Sequence, residues 1–197
     1  MSRAERAGGA EPGRPSEERE HAVLREVLDW IRHLLVAVLV GLLLVLFVVQ
    51  RNEVIGASME PTLRTGDQLI VEKVSRLFGD FGYGSIVTVD AQDLPGHVGE
   101  KNIIKRVIGV AGDTIEIRDG AVYRNGVALV EPYVHGQPTN EGVPAFSKVT
   151  LAKDQLYVLG DNRAVSLDSR RFGPIDKSRV IGHVLIRFYP FDGFGVP

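Results

Sequence analysis

The 197-residue sequence contains no cysteine. That single absence excludes disulfide frameworks, cysteine zinc sites, iron–sulfur ligation and thiolate catalysis. Charge of one sign is not in excess either: 23 Lys and Arg stand against 25 Asp and Glu, a net charge of −2. A chain balanced in this way is not a strongly basic nucleic-acid binder. Histidine is scarce, with His21, His33, His97, His135 and His183 making up the set. No HExxH pattern occurs, so a zincin has no support. No Gly-x-Ser-x-Gly elbow occurs. His97 and His135 stand among loop-forming residues, which leaves a Ser-His-Asp hydrolase poorly supported. No cofactor or metal is called for.

What the chain does have is one long apolar run. Leu34 to Val49 reads LLVAVLVGLLLVLFVV, sixteen residues without a charge. Counted from Trp30 the segment has twenty residues, and at 1.5 Å per residue it spans about 30 Å, the hydrocarbon thickness of a bilayer. Trp30 suits the interface and Arg32 can extend to the headgroups. A buried core helix would keep a polar stripe, and this run has none. A cleaved signal peptide would need small residues at −3 and −1 after the apolar stretch; cleavage after Ala57 would put Ile55 at −3. The reading is an uncleaved anchor.

Basic residues orient it. Arg3, Arg6, Arg14, Arg19, Arg25 and Arg32 precede the run, whereas only Arg51 follows closely. The positive-inside rule therefore places residues 1–29 in the cytoplasm, 30–49 in the membrane and 50–197 outside. Met1 to Ser16 is rich in Gly, Pro, Arg and Glu and is expected to be disordered. From Glu17 a helical period begins, with Leu24, Val27, Leu28 and Ile31 on one face, and should run into the anchor.

Beyond the anchor the pattern changes to short β-branched runs bounded by Gly, Asp, Asn and Pro. They cover 67–71, 85–89, 102–108, 114–117, 156–159 and 183–188. Asn125-Gly126 between strand formers predicts a hairpin across 121–129. Residues 131–146, with their prolines and glycines, read as a long irregular excursion. The outer region is thus expected to be all-β.

Three local patterns in it carry potential chemistry. Ser58-Met59-Glu60-Pro61-Thr62-Leu63 follows the anchor. Lys105-Arg106-Val107-Ile108-Gly109 places a lysine in an apolar strand. Gly160-Asp161-Asn162-Arg163, with Ser166, Asp168, Ser169 and Arg170, follows an apolar strand. Each alone has an ordinary reading: a turn, a solvated lysine, a surface loop.

Together, and with Gly66-Asp67 and Gly112-Asp113 in order between Val54 and Arg187, they resemble the type I signal peptidases. These are membrane-anchored serine–lysine endopeptidases of the peptidase S26 type. The single anchor and small size resemble the compact members from Gram-positive bacteria. The resemblance implies a mainly β fold, a twisted antiparallel sheet or partly open barrel after one transmembrane helix. It makes Ser58 the nucleophile and Lys105 the general base. It assigns Ser166 to orienting the lysine, and Asp161, Arg163, Asp168 and Arg170 to the polar scaffold. Gly56 departs from members that carry an oxyanion-hole hydroxyl at that position, so only the Ser58 N–H carries over. Implied partners are preprotein signal peptides and the lipid bilayer, without nucleic acid and without an obligate partner subunit.

The residues themselves allow this chemistry. A serine needs a neighbouring base, and lysine serves only when neutral. Ile103, Ile104, Val107 and Ile108 around Lys105 can supply the burial that lowers its pKa. Alternation then sends Arg106 to the other face of the strand. An extended peptide is expected to add as a strand beside Val54-Ile55 and Ile103-Ile104-Lys105, with Val54 and Ile104 lining pockets for small side chains at −3 and −1. Two other readings stand beside this one. A self-cleaving repressor-type peptidase lacks its DNA-binding helix pair here. A tethered, non-catalytic β-domain leaves Ser58, Lys105 and Ser166 unexplained.

Overall fold

The computed structural model describes residues 15–79 and 81–197. The chain divides into two compact units, Met1–Leu44 and Val45–Pro197. Most of the first expectation, disorder over Met1 to Ser16, lies outside the described residues; Pro15 and Ser16 already belong to a helix.

That helix, α1, spans Pro15–Phe47. Its segment His21–Val45 is long and apolar enough to cross a membrane, and its described side chains are all exposed. The helix stops at Phe47, short of the end of the apolar run at Val49. Val49 is taken by a strand instead, pairing with Glu72.

The second unit is built on a seven-stranded antiparallel sheet. Its strands are β1 (Val49–Glu53), β2 (Gln68–Glu72), β3 (Ile86–Asp90), β4 (Asn102–Gly109), β9 (Gln155–Leu159), β10 (Ile175–Asp176) and β11 (Val180–Tyr189), in the order β1-β2-β11-β3-β4-β9-β10. The curl of the sheet comes from β11. Its first residues pair with β3 and the rest with β2, and register shifts interrupt both ladders. Extra residues in a strand bend it and sharpen its twist. The result is an open half-barrel, as the mainly β expectation requires.

A second, four-stranded sheet is formed by β5 (Thr114–Arg118), β6 (Ala121–Arg124), β7 (Val127–Ala128) and β8 (Lys148–Thr150), ordered β7-β6-β5-β8. The expected hairpin is there, turning at Asn125-Gly126 between β6 and β7. Two short helices complete the unit, α2 (Ser75–Phe78) and α3 (Ser169–Phe172). Residues 131–146 form the irregular excursion, containing two 3-10 turns.

Three apolar clusters hold these pieces. Val87, Val107, Leu156 and Val158 centre the first, and Ile108, Ile115, Tyr157 and Leu159 join the two sheets in another. In the remaining one, Val54, Met59, Leu63 and Leu69 pack beneath Ile86 and Val184. Met59 and Leu63 have almost no exposed surface, so burial of the residues just after Ser58 fixes where Ser58 stands.

Candidate active site

Ser58 is half-buried at the start of a turn that leaves β1, and Lys105 lies in the middle of β4. Their side chains meet although 47 positions separate them: Lys105 Nζ is 2.7 Å from Ser58 Oγ and also donates to the Ile104 carbonyl at 3.0 Å. Lys105 is 3% exposed. Burial lowers its pKa from 10.5 to about 8, against the pull of Asp168 and Asp161; Arg170 adds to the lowering. A neutral amine within hydrogen-bond distance of a hydroxyl can take its proton, which makes the oxygen a nucleophile.

The two carboxylates near Lys105 would by themselves favour its charged form, and each is held by an arginine. Asp168 accepts from Arg170 Nε and Nη2, both at 2.8 Å, and from the Gly160 N–H at 3.1 Å. It also caps α3 through the Arg170 N–H. Asp161 accepts from Arg106 Nε at 2.9 Å and Nη2 at 2.7 Å, and from the Thr62 hydroxyl at 2.6 Å. Such two-pronged pairs are strong and directional, and each turns an isolated buried charge into a neutral pair. Arg163 is buried, donates to the Gly160 carbonyl at 3.0 Å, and ties down the excursion through Glu131 and Thr139.

Ser166 behaves differently. Its backbone N–H donates to the Asn162 carbonyl at 3.0 Å, but its hydroxyl is buried and bonds to neither Lys105 nor any other described residue. It is nevertheless close to Ser58. A side chain on Gly160 would collide with both the Ser58 carbonyl oxygen and Ser166 Oγ, so glycine permits this approach. Gly56 has another reason to be glycine: its φ is +87°, in the left-handed region, although the place a Cβ would take is open. The Ser58 N–H donates to no described residue.

A groove of about 700 Å³ opens in front of the pair, lined among others by Val54, Ile55, Ile103 and Ile104. Both residues expected to line pockets, Val54 and Ile104, are in its wall. One side of the groove is an incomplete ladder. β3 pairs with 102–106 of β4, whereas β9 pairs only with Arg106, Val107 and Gly109. Among the described residues, 102–105 therefore keep one edge without a partner strand, the kind of edge to which an extended peptide adds.

The family model described as signal peptidase, peptidase S26, matches residues 27–189 of this chain. The chain belongs to that family. Signal peptidase I from Bacillus licheniformis is 36% identical over 186 residues, covering 90% of this chain and 96% of its own length. Probable signal peptidase I-1 from Synechocystis sp. is 39% identical over 165 residues, 82% of each chain. Signal peptidase IB from Staphylococcus aureus (strain COL) is 33% identical over 184 residues, 86% of this chain and 93% of its own.

Seen as a signal peptidase, the site gives partners to residues for which the sequence suggested no such role, and adds Glu131 and Tyr133, which stand outside the three motifs. Arg106 was expected only to turn away from Lys105; it does, and it becomes the counter-ion of Asp161 and stacks at 4.2 Å over the Tyr133 ring. Thr62 and Glu131 hold Asp161 and Arg163, and the Ser169 hydroxyl accepts from the Val158 N–H at 2.9 Å. One signal was available: an arginine in an apolar strand needs a carboxylate. Which carboxylate depends on the pairing of β4 with β9.

Proposed function

We propose that this signal peptidase family member removes N-terminal signal peptides from exported preproteins at the outer face of the membrane, with Ser58 as nucleophile and neutral Lys105 as general base. The observation that carries the proposal is the 2.7 Å approach of a buried, pKa-lowered lysine to a groove-lining serine. Ser58 Oγ attacks the scissile carbonyl as Lys105 Nζ takes its proton. Lys105 then returns the proton to the leaving amine, and water resolves the acyl-enzyme. The Ser58 N–H, which donates to no described residue, is the donor offered to the oxyanion.

The substrate lies extended along the unpaired edge of β4, and Val54 and Ile104 contact small side chains at −3 and −1. Asp161, Arg163, Asp168 and Arg170 hold the loop against β4. The lysine amine is directed by Ser58 and the Ile104 carbonyl; to Ser166, whose buried hydroxyl makes no bond to Lys105 in this structure, we assign an orienting role in the reaction. Residues 1–29 are cytoplasmic, the apolar run from Trp30 to the end of α1 at Phe47 crosses the membrane, and the remainder, from the strand at Val49 onward, lies outside. The enzyme works without a cofactor, a nucleic acid or an obligate partner subunit.

The test is cleavage of a short peptide carrying Ala-x-Ala before the scissile bond, by full-length protein in detergent. Ser58→Ala and Lys105→Arg should each lower kcat/KM by at least about 10³-fold. Arginine keeps the charge but does not release its proton. Substantial turnover by either variant would overturn the assignment of that residue.

A further inference from the structure

We propose that the groove carries a second apolar subsite, formed by Ile103, Leu167 and Val165 on the side of β4 away from Val54 and Ile104, and that it takes an aliphatic side chain at −2 of the substrate. The inference rests on the peptidase reading of the Ser58–Lys105 groove and adds a preference at a position which that reading leaves open.

The groove has two apolar walls, and they belong to different parts of the core. Val54 and Ile104 pack in the cluster of Met59, Leu63 and Leu69, whereas Ile103 and Leu167 pack against the cluster centred on Val87, Val107 and Leu156. All four residues line the groove. Ile103 and Ile104 part because successive side chains of a strand leave on opposite faces. Leu167 reaches the Ile103 side from the loop that follows β9. Val165, two residues earlier in that loop, also lines the groove and is 62% exposed.

The position of Val165 is fixed by the nucleophile's own backbone. The Asn162 N–H donates to the Ser58 carbonyl at 3.1 Å, and the Asn162 carbonyl accepts from the N–H groups of Val165 at 3.3 Å and Ser166 at 3.0 Å. A large aliphatic side chain is thus displayed beside Ser58, where its exposure gains nothing for the fold. Exposed apolar surface inside a cleft marks a contact surface.

Alternation identifies what covers it. A peptide extended along the unpaired edge of residues 102–105 sends its −1 and −3 side chains to one side and its −2 side chain to the other. With −1 and −3 on Val54 and Ile104, −2 falls on Ile103, Leu167 and Val165. Lys105 shares the Ile103 face of β4, but it is buried and turned to Ser58. Asp168 is buried and held by Arg170. The wall offered to −2 is therefore aliphatic. A carboxylate or hydroxyl placed there gives up hydration, whereas a leucine side chain removes apolar surface from water.

The test uses full-length protein in detergent and three peptides identical except at −2: Ala-Leu-Ala, Ala-Ser-Ala and Ala-Asp-Ala before the scissile bond. Wild type should cleave the leucine peptide with a kcat/KM at least about tenfold above that of the serine peptide, with the aspartate peptide poorest. In Val165→Ser the leucine-to-serine ratio should fall to within about threefold, and Val165→Ala should give an intermediate ratio. Each comparison is between peptides on one enzyme, so a general loss of activity or a shifted Lys105 cancels. Equal kcat/KM for the leucine and serine peptides in wild type would overturn the subsite and leave the peptidase reading standing. A leucine preference that both variants retain in full would also overturn it, because the preference would then arise away from Val165. Wild type that cleaves none of the peptides, or Ser58→Ala that cleaves them as well as wild type, would instead remove the peptidase reading and this inference with it.

Discussion

Lys105 is the residue at which stability and chemistry oppose each other. Its ammonium loses hydration on burial, and the pKa falls to about 8. The neutral form is the one the proposed reaction needs. kcat/KM should therefore fall on the acid side with a midpoint near pH 8; a midpoint near pH 10 would identify a solvated lysine instead. The same shift fixes the sign of a stability change. Between the folded value near 8 and the unfolded value of 10.5, the unfolded chain binds more protons, so stability rises with pH across that window. Below pH 8 both states are protonated and the full cost of about 3 kcal/mol remains. Lys105→Met removes that cost while nearly keeping volume. We predict an inactive variant that is more stable than wild type by about 2–3 kcal/mol at pH 7, measured by urea unfolding in detergent. A less stable Lys105→Met would show that the lysine contributes to the fold.

At the scale of elements, the site is the meeting of β4 with the loop that follows β9. Lys105 and Arg106 are neighbours in β4 with different partners, Ser58 for one and Asp161 for the other. The second contact fastens the 161–170 loop to the strand that carries the base. Arg106→Met would leave Asp161 buried with only the Thr62 hydroxyl and without its counter-ion. A stability loss of about 3–5 kcal/mol is expected. Arg106→Met/Asp161→Leu should recover much of it, since the pair is removed as a unit. The pH profile separates this role from a merely structural one. With Asp161 uncompensated, its pull on Lys105 strengthens and the acid limb of Arg106→Met should move upward in pH. Unfolding curves and pH profiles of the single and double variants check both statements; an acid limb unmoved in the single variant would detach Arg106 from the tuning of Lys105.

At the scale of the whole molecule, the proposal depends on which side of the membrane the second unit occupies. Six arginines precede the apolar run and one follows closely. On the positive-inside rule, protease added to intact spheroplasts should digest the region after Gln50 and spare the tail. Protection of that region would reverse the topology and, with it, access to exported substrates.

Much of this protein was legible in the sequence, and the divide has a physical basis. Periodicity is local, so the apolar helix, the longer strands and the Asn125-Gly126 hairpin could be read without any partner. β1 could not: Val49-Gln50-Arg51-Asn52-Glu53 has no strand-like alternation and is extended because β2 offers it a ladder. The very short β8 and β10 escaped for the same reason. The helix end was misplaced by two residues, since Val48 and Val49 are as apolar as their predecessors and only pairing with β2 removes them from the helix. Ser58, Lys105 and the 160–170 loop were recognisable by their ordered motifs. Their distances were not, nor the arginine that each buried aspartate would receive. Burial, and with it the pKa of Lys105, is a property of what packs around a side chain. Neighbours in space 47 and 55 positions away along the chain are assigned by sheet pairing, and sheet pairing is settled only when the whole core closes.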